Sequence, residues 1–280
     1  MNKQDLIKTA ENFMEHSKEN YISEETAISK QVVGLKLFDA PMIAFGSADD
    51  EYFTLLKQPS AIGEHFMLPK EWLPQAKTVI SIFLPFSEEV RKGNSRDMTW
   101  PSEESLHARI EGQTLLIQLC MHIKSELENA GFESLIPAMD GRFWSNGPNP
   151  EHAATFTSNW SERHVAFVCG HGTFGLSKGL ITKKGMAGRF GSIITELDLQ
   201  PDNRDYKDIY EYCTMCGRCV KNCPVNAISK ETGKNHVPCS DFLDETKAKH
   251  NPRYACGKCQ VRVPCEFMIP KKKQGGEKFD

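Results

Sequence analysis

The chain has 280 residues, 39% of them hydrophobic and 25% charged, and a formal net charge of −3, the makeup of a soluble globular protein. That charge argues against a broadly nucleic-acid-binding surface, and no apolar run reaches the roughly 20 residues of a membrane helix. The N-terminus carries neither an apolar signal core nor a twin-arginine signal, so the expected location is the cytoplasm, with no membrane partner.

In chain order, Leu6, Ile7, Ala10, Phe13 and Met14 recur at helical spacing and predict an amphipathic helix over residues 3–20. Gly34–Phe38 and Met42–Gly46 read as strand and loop, and Ser47–Glu51 as the cap of a helix running to about Lys57. Pro59, Gly63, Pro69 and Pro74 break the next stretch into irregular surface structure. Thr78–Leu84, β-branched and apolar and stopped by Pro85, is a buried strand. Residues 87–101, with Gly93, Asn94 and Pro101, read as a loop.

Ser102 before Glu103 and Glu104 starts a helix. It runs to about Ala130, with Leu116, Leu119, Cys120, Ile123 and Leu127 inside and Gly131 just past its end. Cys120 reads as a small buried apolar residue, and His107 and His122 as surface or core histidines rather than ligands. Phe132–Ile136 is a second strand, and the strand–helix–strand unit makes the N-terminal region α/β. Residues 139–161 are polar and carry Phe143, Trp144, Phe156 and Trp160. They are either a lid or pocket wall, or a loop pinned by its aromatics.

Gly170-His171-Gly172-Thr173-Phe174-Gly175 matches G-x-G-x-x-G, and Glu196 lies about 20 residues on. A dinucleotide site needs an unbroken helix after the third glycine. Gly179, Gly185, Gly188 and Gly191 interrupt that stretch, and Leu180–Thr182 and Ser192–Thr195 look like strands, so a glycine loop feeding a hairpin fits better. Gly170, Gly172, Thr173 and Gly175 are candidate contacts for a flat cofactor approaching the main chain; tight packing against the rest of the chain is the other reading. Cys169 and His171 are not taken as ligands.

The strongest signal is Cys213-x2-Cys216-x2-Cys219-x3-Cys223-Pro224, the run of bacterial two-cluster ferredoxins. Three thiolates wrap one corner of a [4Fe–4S] cube, Gly217 relieves crowding, and the fourth cysteine opens a helix whose first turn takes Pro224. Cys239, Cys256, Cys259 and Cys265 follow, so four plus four cysteines match two cubes. Zinc prefers two separated C-x2-C pairs, and disulfides do not suit a reducing compartment.

Together these segments resemble the epoxyqueuosine reductases and the reductive dehalogenases. The stretch from Glu162-Arg163 through Gly170-His171-Gly172, then Gly175, Leu180–Thr182, Gly185 and Gly191–Thr195, parallels the corrinoid-contacting region of those families. The resemblance implies a nitroreductase-like α+β or α/β domain over 1–200 that binds cobalamin, and a ferredoxin-like two-cluster module over 201–280. It implies one cube on Cys213, Cys216, Cys219 and Cys265 and another on Cys223, Cys239, Cys256 and Cys259. Three departures stand out. Phe156 occupies the place of the family's proton-donating aspartate, with Asp140 and Glu151 nearby. No helical repeats follow the clusters. The last spacer, Cys259 to Cys265, is longer than usual, which costs a loop little.

The expected function is an iron–sulfur reductase passing electrons from ferredoxin or flavodoxin through both clusters to cobalamin, or to FMN, and on to a small-molecule substrate rather than tRNA. No catalytic residue is assigned. The alternative is an electron carrier without a site of its own.

Overall fold

The computed structural model describes residues 1–147 and 155–271. Its first helix, α1 (Lys3–His16), begins at a reciprocal cap. The Asn2 side chain accepts from the Asp5 amide at 3.1 Å, and the Asp5 carboxylate accepts from the Asn2 amide at 2.8 Å, satisfying two otherwise orphaned amides. Leu6, Ala10 and Met14 form the buried stripe. The helix is shorter than predicted because Ser17 turns extended and a 3-10 turn, Lys18–Asn20, takes over.

The strand β1 (Met42–Ser47) leads to α2 (Glu51–Leu55), capped by Asp50, and then to α3 (Pro69–Trp72). Next comes β2 (Thr78–Pro85), buried along its whole length. The stretch expected to be a loop contains α4 (Glu88–Asn94). There the Ser87 hydroxyl accepts from the Val90 amide, and Glu88 and Glu89 sit in the first turn. These start signals outweigh the glycine and asparagine at its end. The long α5 (Glu103–Asn129) opens as predicted, with Ser102 accepting from the Ser105 amide at 3.3 Å. Cys120 lies on its buried face and His107 is fully buried; His122 stacks on Phe13 at 5.1 Å.

After β3 (Ser134–Leu135) come α6 (Glu162–Val168), β4 (Gly172–Phe174), β5 (Leu180–Thr182) and β6 (Gly188–Thr195). The apolar run before the glycines is therefore a helix, where a dinucleotide fingerprint requires a strand. The main sheet has the order β1-β2-β6-β3 with antiparallel pairing throughout. Since β2 and β3 both oppose β6, they run parallel to each other, with β6 between them and α5 as the crossover. The fold is α+β, of the two alternatives, because its neighbours pair antiparallel. One sheet face, Ile80, Ile82, Leu84 and Ile193, packs on α1 and α5. The other, Val79 and Ile194, packs on α6 and Trp160. Burying each such side chain contributes about 1.5–3 kcal/mol.

The cysteine-rich segment holds α7 (Arg218–Lys221), the small pair β7 (Ile228–Ser229) and β8 (Gly233–Lys234), and α8 (His236–His250). The helix precedes Cys223 instead of opening at it, and Pro224 lies in a turn, because Asn226 takes a left-handed φ of 52°. In Cys216-Gly217 and Cys256-Gly257 the glycines adopt φ of 70° and 68°, the same turn used twice. None of the described helices is long and apolar enough to cross a membrane.

Lys258 anchors this segment to the sheet domain. It is fully buried, and its Nζ donates to the Asn94 carbonyl at 2.8 Å and side-chain oxygen at 2.6 Å. The Asn94 amide in turn donates to the Cys256 carbonyl at 2.8 Å. Lys258→Met leaves both Asn94 oxygens without their charged donor, a loss of about 1.5–3 kcal/mol per such bond. The apparent melting temperature is expected to fall by several degrees in a calorimetric scan. An unchanged transition would remove Lys258 as the anchor.

Candidate functional site

The eight C-terminal cysteines fall into two groups. Cys213, Cys216, Cys219 and Cys265 line one small cavity, with Met186 and Val263. Chain return makes this possible: the Met186 amide donates to the Cys265 carbonyl at 2.9 Å and the Ala187 amide to the Glu266 carbonyl at 3.1 Å. Cys239, Cys256 and Cys259 line a second, larger cleft of about 500 Å³. Cys223 stands beside this group, within electrostatic reach of Cys259 together with Cys239. Its sulfur accepts from the Ala227 amide at 3.1 Å. The groups adjoin where Cys219 feels the charge of Cys259. Burial and neighbouring sulfurs push the Cys256 and Cys265 thiols up to about 12, a set that a bound cation would relieve.

Among the described residues, no three His, Cys, Asp or Glu side chains converge closely enough to hold a single metal ion. A zinc ion at about 2.3 Å from each sulfur requires such convergence. Thiols arranged around a cavity suit the corners of a larger cluster.

The glycine loop packs against the cysteine segment. Gly170, Gly172 and Thr173 do not line the cleft, and Gly175 lines the first cysteine cavity. A Cβ on Gly172 would meet the Ile181 carbonyl oxygen at 1.8 Å, so that glycine permits the β4–β5 pairing. Thr173 accepts from the Tyr212 amide at 2.8 Å, one residue before Cys213, and the Phe174 amide donates to the Ile209 carbonyl at 2.7 Å. Cys169 and His171 are buried, the latter with its ring nitrogen 3.0 Å from the Ser81 carbonyl and pulled down to about 4 by burial.

The cleft is also lined by Gly179, Gly188, Phe190 and Trp160. It lies at the start of β6, where alternation sends Arg189 to the α5 face and Phe190 and Ser192 to the α6 face. Trp160 donates to the Ser192 hydroxyl at 2.9 Å, and Phe190 stacks on Phe83 at 4.5 Å. From the loop of residues 139–161, Phe143, Ser145 and Ser158 also reach the cleft, so it walls a pocket. Charged residues here are Arg109, Arg163, Arg189, Lys234 and Glu162. Desolvation raises Glu162 to about 7, opposed by a hydrogen bond with Ser192, and one of its oxygens, Oε2, has no hydrogen-bond partner.

Residues 206–229 match the model of the 4Fe-4S binding domain. A stretch of 78 residues is 31% identical to the trichloroethene reductive dehalogenase of Dehalococcoides mccartyi, covering 28% of this chain and 14% of that protein. Another, of 68 residues, is 37% identical to the tetrachloroethene reductive dehalogenase of Desulfitobacterium hafniense, covering 24% and 12%. These matches span only a small part of the dehalogenases. The structure overlays on the epoxyqueuosine reductase of Bacillus subtilis, solved with its catalytic loop swung out of the active site, at a TM-score of 0.52 and 20% identity, covering 96% of this chain and 69% of that one. The chain has the epoxyqueuosine reductase fold. An epoxyqueuosine reductase bound to a tRNA stem loop gives a TM-score of 0.52 at 21% identity, covering 94% and 65%. A reductive dehalogenase studied for B12-dependent dehalogenation gives 0.50 at 16%, covering 80% and 30%.

Within the epoxyqueuosine reductase fold, Phe156 is turned away from acid chemistry. It takes a φ of 51° and stacks on His236 of α8 at 5.4 Å. Asp140 pairs with Arg142 at 2.8 Å and does not line the cleft; Glu151 lies outside the described residues. In the sequence Glu162 and Arg163 stand out only within the longer family parallel, and Arg109 and Arg189 do not stand out. The available signal for Arg189 is an arginine directly after Gly188 at the start of an apolar strand.

Proposed function

We propose that the chain is an iron–sulfur reductase that passes electrons through two [4Fe–4S] clusters to a corrinoid in the cleft. The carrying observation is that Cys239, Cys256 and Cys259 line that cleft. In this reading residues 1–200 form the cofactor and substrate unit and 201–280 the two-cluster module. Cys213, Cys216, Cys219 and Cys265 hold the cluster nearer the surface, since Cys216 is exposed and Met215 is 43% exposed. A ferredoxin or flavodoxin docks there. Cys223, Cys239, Cys256 and Cys259 hold the cluster that faces the cleft.

The residues present fit a flat macrocycle: main chain at Gly179 and Gly188, aromatic walls at Phe190 and Trp160, and serine and arginine donors at the edges. The B12-dependent mechanism studied in the dehalogenase of similar fold supports this choice. When bound, the corrinoid supplies the low-potential centre at which the substrate is reduced. Glu162 holds a proton at its carboxyl for delivery into the cleft, taking the part that Phe156 does not play. The Trp160 and Phe143 rings in the lining help exclude water. The substrate is read as a small molecule, with tRNA, which a relative binds, as the alternative.

Anaerobic purification with cobalamin supplied tests the reading. The expected outcome is retained corrinoid, about eight irons per chain and a broad band near about 400 nm. A flavin spectrum would replace the corrinoid by FMN. Loss of every organic cofactor would leave an electron carrier, for which a cleft of this size has no use.

A further inference from the structure

Arg109 and Arg189 reach the cleft from α5 and from the start of β6. Both are partly buried, and both are held by neutral groups. Arg189 donates from Nε to the Gln113 side-chain oxygen at 3.0 Å, and from Nη2 to the same atom. Arg109 donates from Nη2 to the Tyr254 hydroxyl at 3.0 Å, and its guanidinium lies 4.9 Å from the Tyr254 ring centre. Among the described residues neither arginine forms an ion pair. Arg163 adds a third positive charge, but that one faces Cys239 and Cys259, so sulfur answers it. Burial first, and then the charges of Arg109 and Arg163, pull Arg189 down to about 9. Glu162 is the one carboxyl among the described residues lining the cleft, and it stays protonated until about pH 7.

Two guanidiniums whose orientation is fixed while their charge is left unanswered are costly in the free protein. A planar fork of donors in a partly closed site suits two-point binding of a carboxylate or phosphate. We propose that Arg109 and Arg189 form an oxyanion subsite that seats a carboxylate or phosphate group of the molecule bound in the cleft. This deepens the reductase reading and rests on it for where the ligand lies. The oxyanion belongs either to a small anionic substrate or to the phosphodiester in the nucleotide loop of cobalamin.

The test measures binding by calorimetry on cluster-loaded wild type, Arg189→Gln, Arg189→Lys and Arg109→Gln, with iron content checking that each variant is folded. One arm titrates inorganic phosphate and benzoate into the corrinoid-loaded protein. The other titrates hydroxocobalamin and cobinamide, which lacks the phosphodiester, into protein without corrinoid. Weakening of phosphate or benzoate by about tenfold or more in the glutamine variants, with Lys intermediate, assigns the subsite to the substrate. Weakening of hydroxocobalamin but not cobinamide assigns it to the corrinoid tail. Equal binding of all four probes by wild type and variants overturns the proposal, as does parallel weakening of both corrinoids with no effect on the anions, and as does binding of no probe at all. If neither corrinoid binds but the anions, titrated instead into cluster-loaded protein without corrinoid, still separate wild type from the variants, the subsite stands and the corrinoid reading fails.

Discussion

Replacing Cys259 with alanine is expected to lower the iron content from about eight to about four per chain, halve the absorbance near about 400 nm and end substrate reduction. Cys259 both lines the cleft and lies among Cys223, Cys239 and Cys256, so in the proposed reading its loss opens the cluster that faces the cleft. The other four thiols surround a separate cavity, and their cluster should still accept an electron from dithionite, as a magnetic resonance signal would report. Cys213→Ala is the mirror case, with the outer cluster lost and the inner one retained. An iron count unchanged by Cys259→Ala would take that residue out of the ligand set.

The second large effect concerns Glu162→Gln. A positioned general acid contributes about 10²- to 10⁴-fold to rate, and loss of that order is expected in the reduction step. The pH profile carries the sharper signature. Glu162 is held near 7 by desolvation, so the wild-type rate is high below pH 7 and falls about tenfold per unit above it, as the donor form is lost. Glutamine has no such limb, so the variant's slow rate stays flat across that range. Stability also falls with rising pH, over a lower window. The unfolded carboxyl ionises near its ordinary 4.5 while the folded one keeps its proton to about 7. Wild type therefore loses stability as pH rises between those values, and the glutamine variant does not. A variant that is slow, flat in pH and no less stable at pH 8 is the expected result; a retained pH limb would place the proton elsewhere.

Legibility in the sequence followed the range of the interactions involved. The run Thr78–Leu84 announced β2 because a strand buried on both faces needs apolar residues throughout. Ser102, the apolar stripe to Leu127 and Gly131 announced α5 because cap, period and stop are all local. The cysteine spacing announced iron and sulfur for the same reason, and residues 206–229 match the 4Fe-4S binding domain. In α4, Gly93 and Asn94 masked a cap at Ser87, since two strong local signals disagreed. Gly172 and Thr173 looked like cofactor contacts because a glycine that lets a ligand approach and one that lets a strand approach are the same residue in sequence. Arg189 was invisible as a site residue, because its meaning depends on Gln113 and Arg109 arriving from a helix some 75 positions away in the chain. Glu162 depends likewise on Ser192 and on how deeply the cleft is walled.

The buried clasp between Lys258 and Asn94 has a consequence for timing. It spans two halves of the chain and ties down the backbone of Cys256 through the Asn94 amide. In the proposed relay the backbone of Cys256 is held against the end of α4 by the fold itself, so it is in place before an electron arrives.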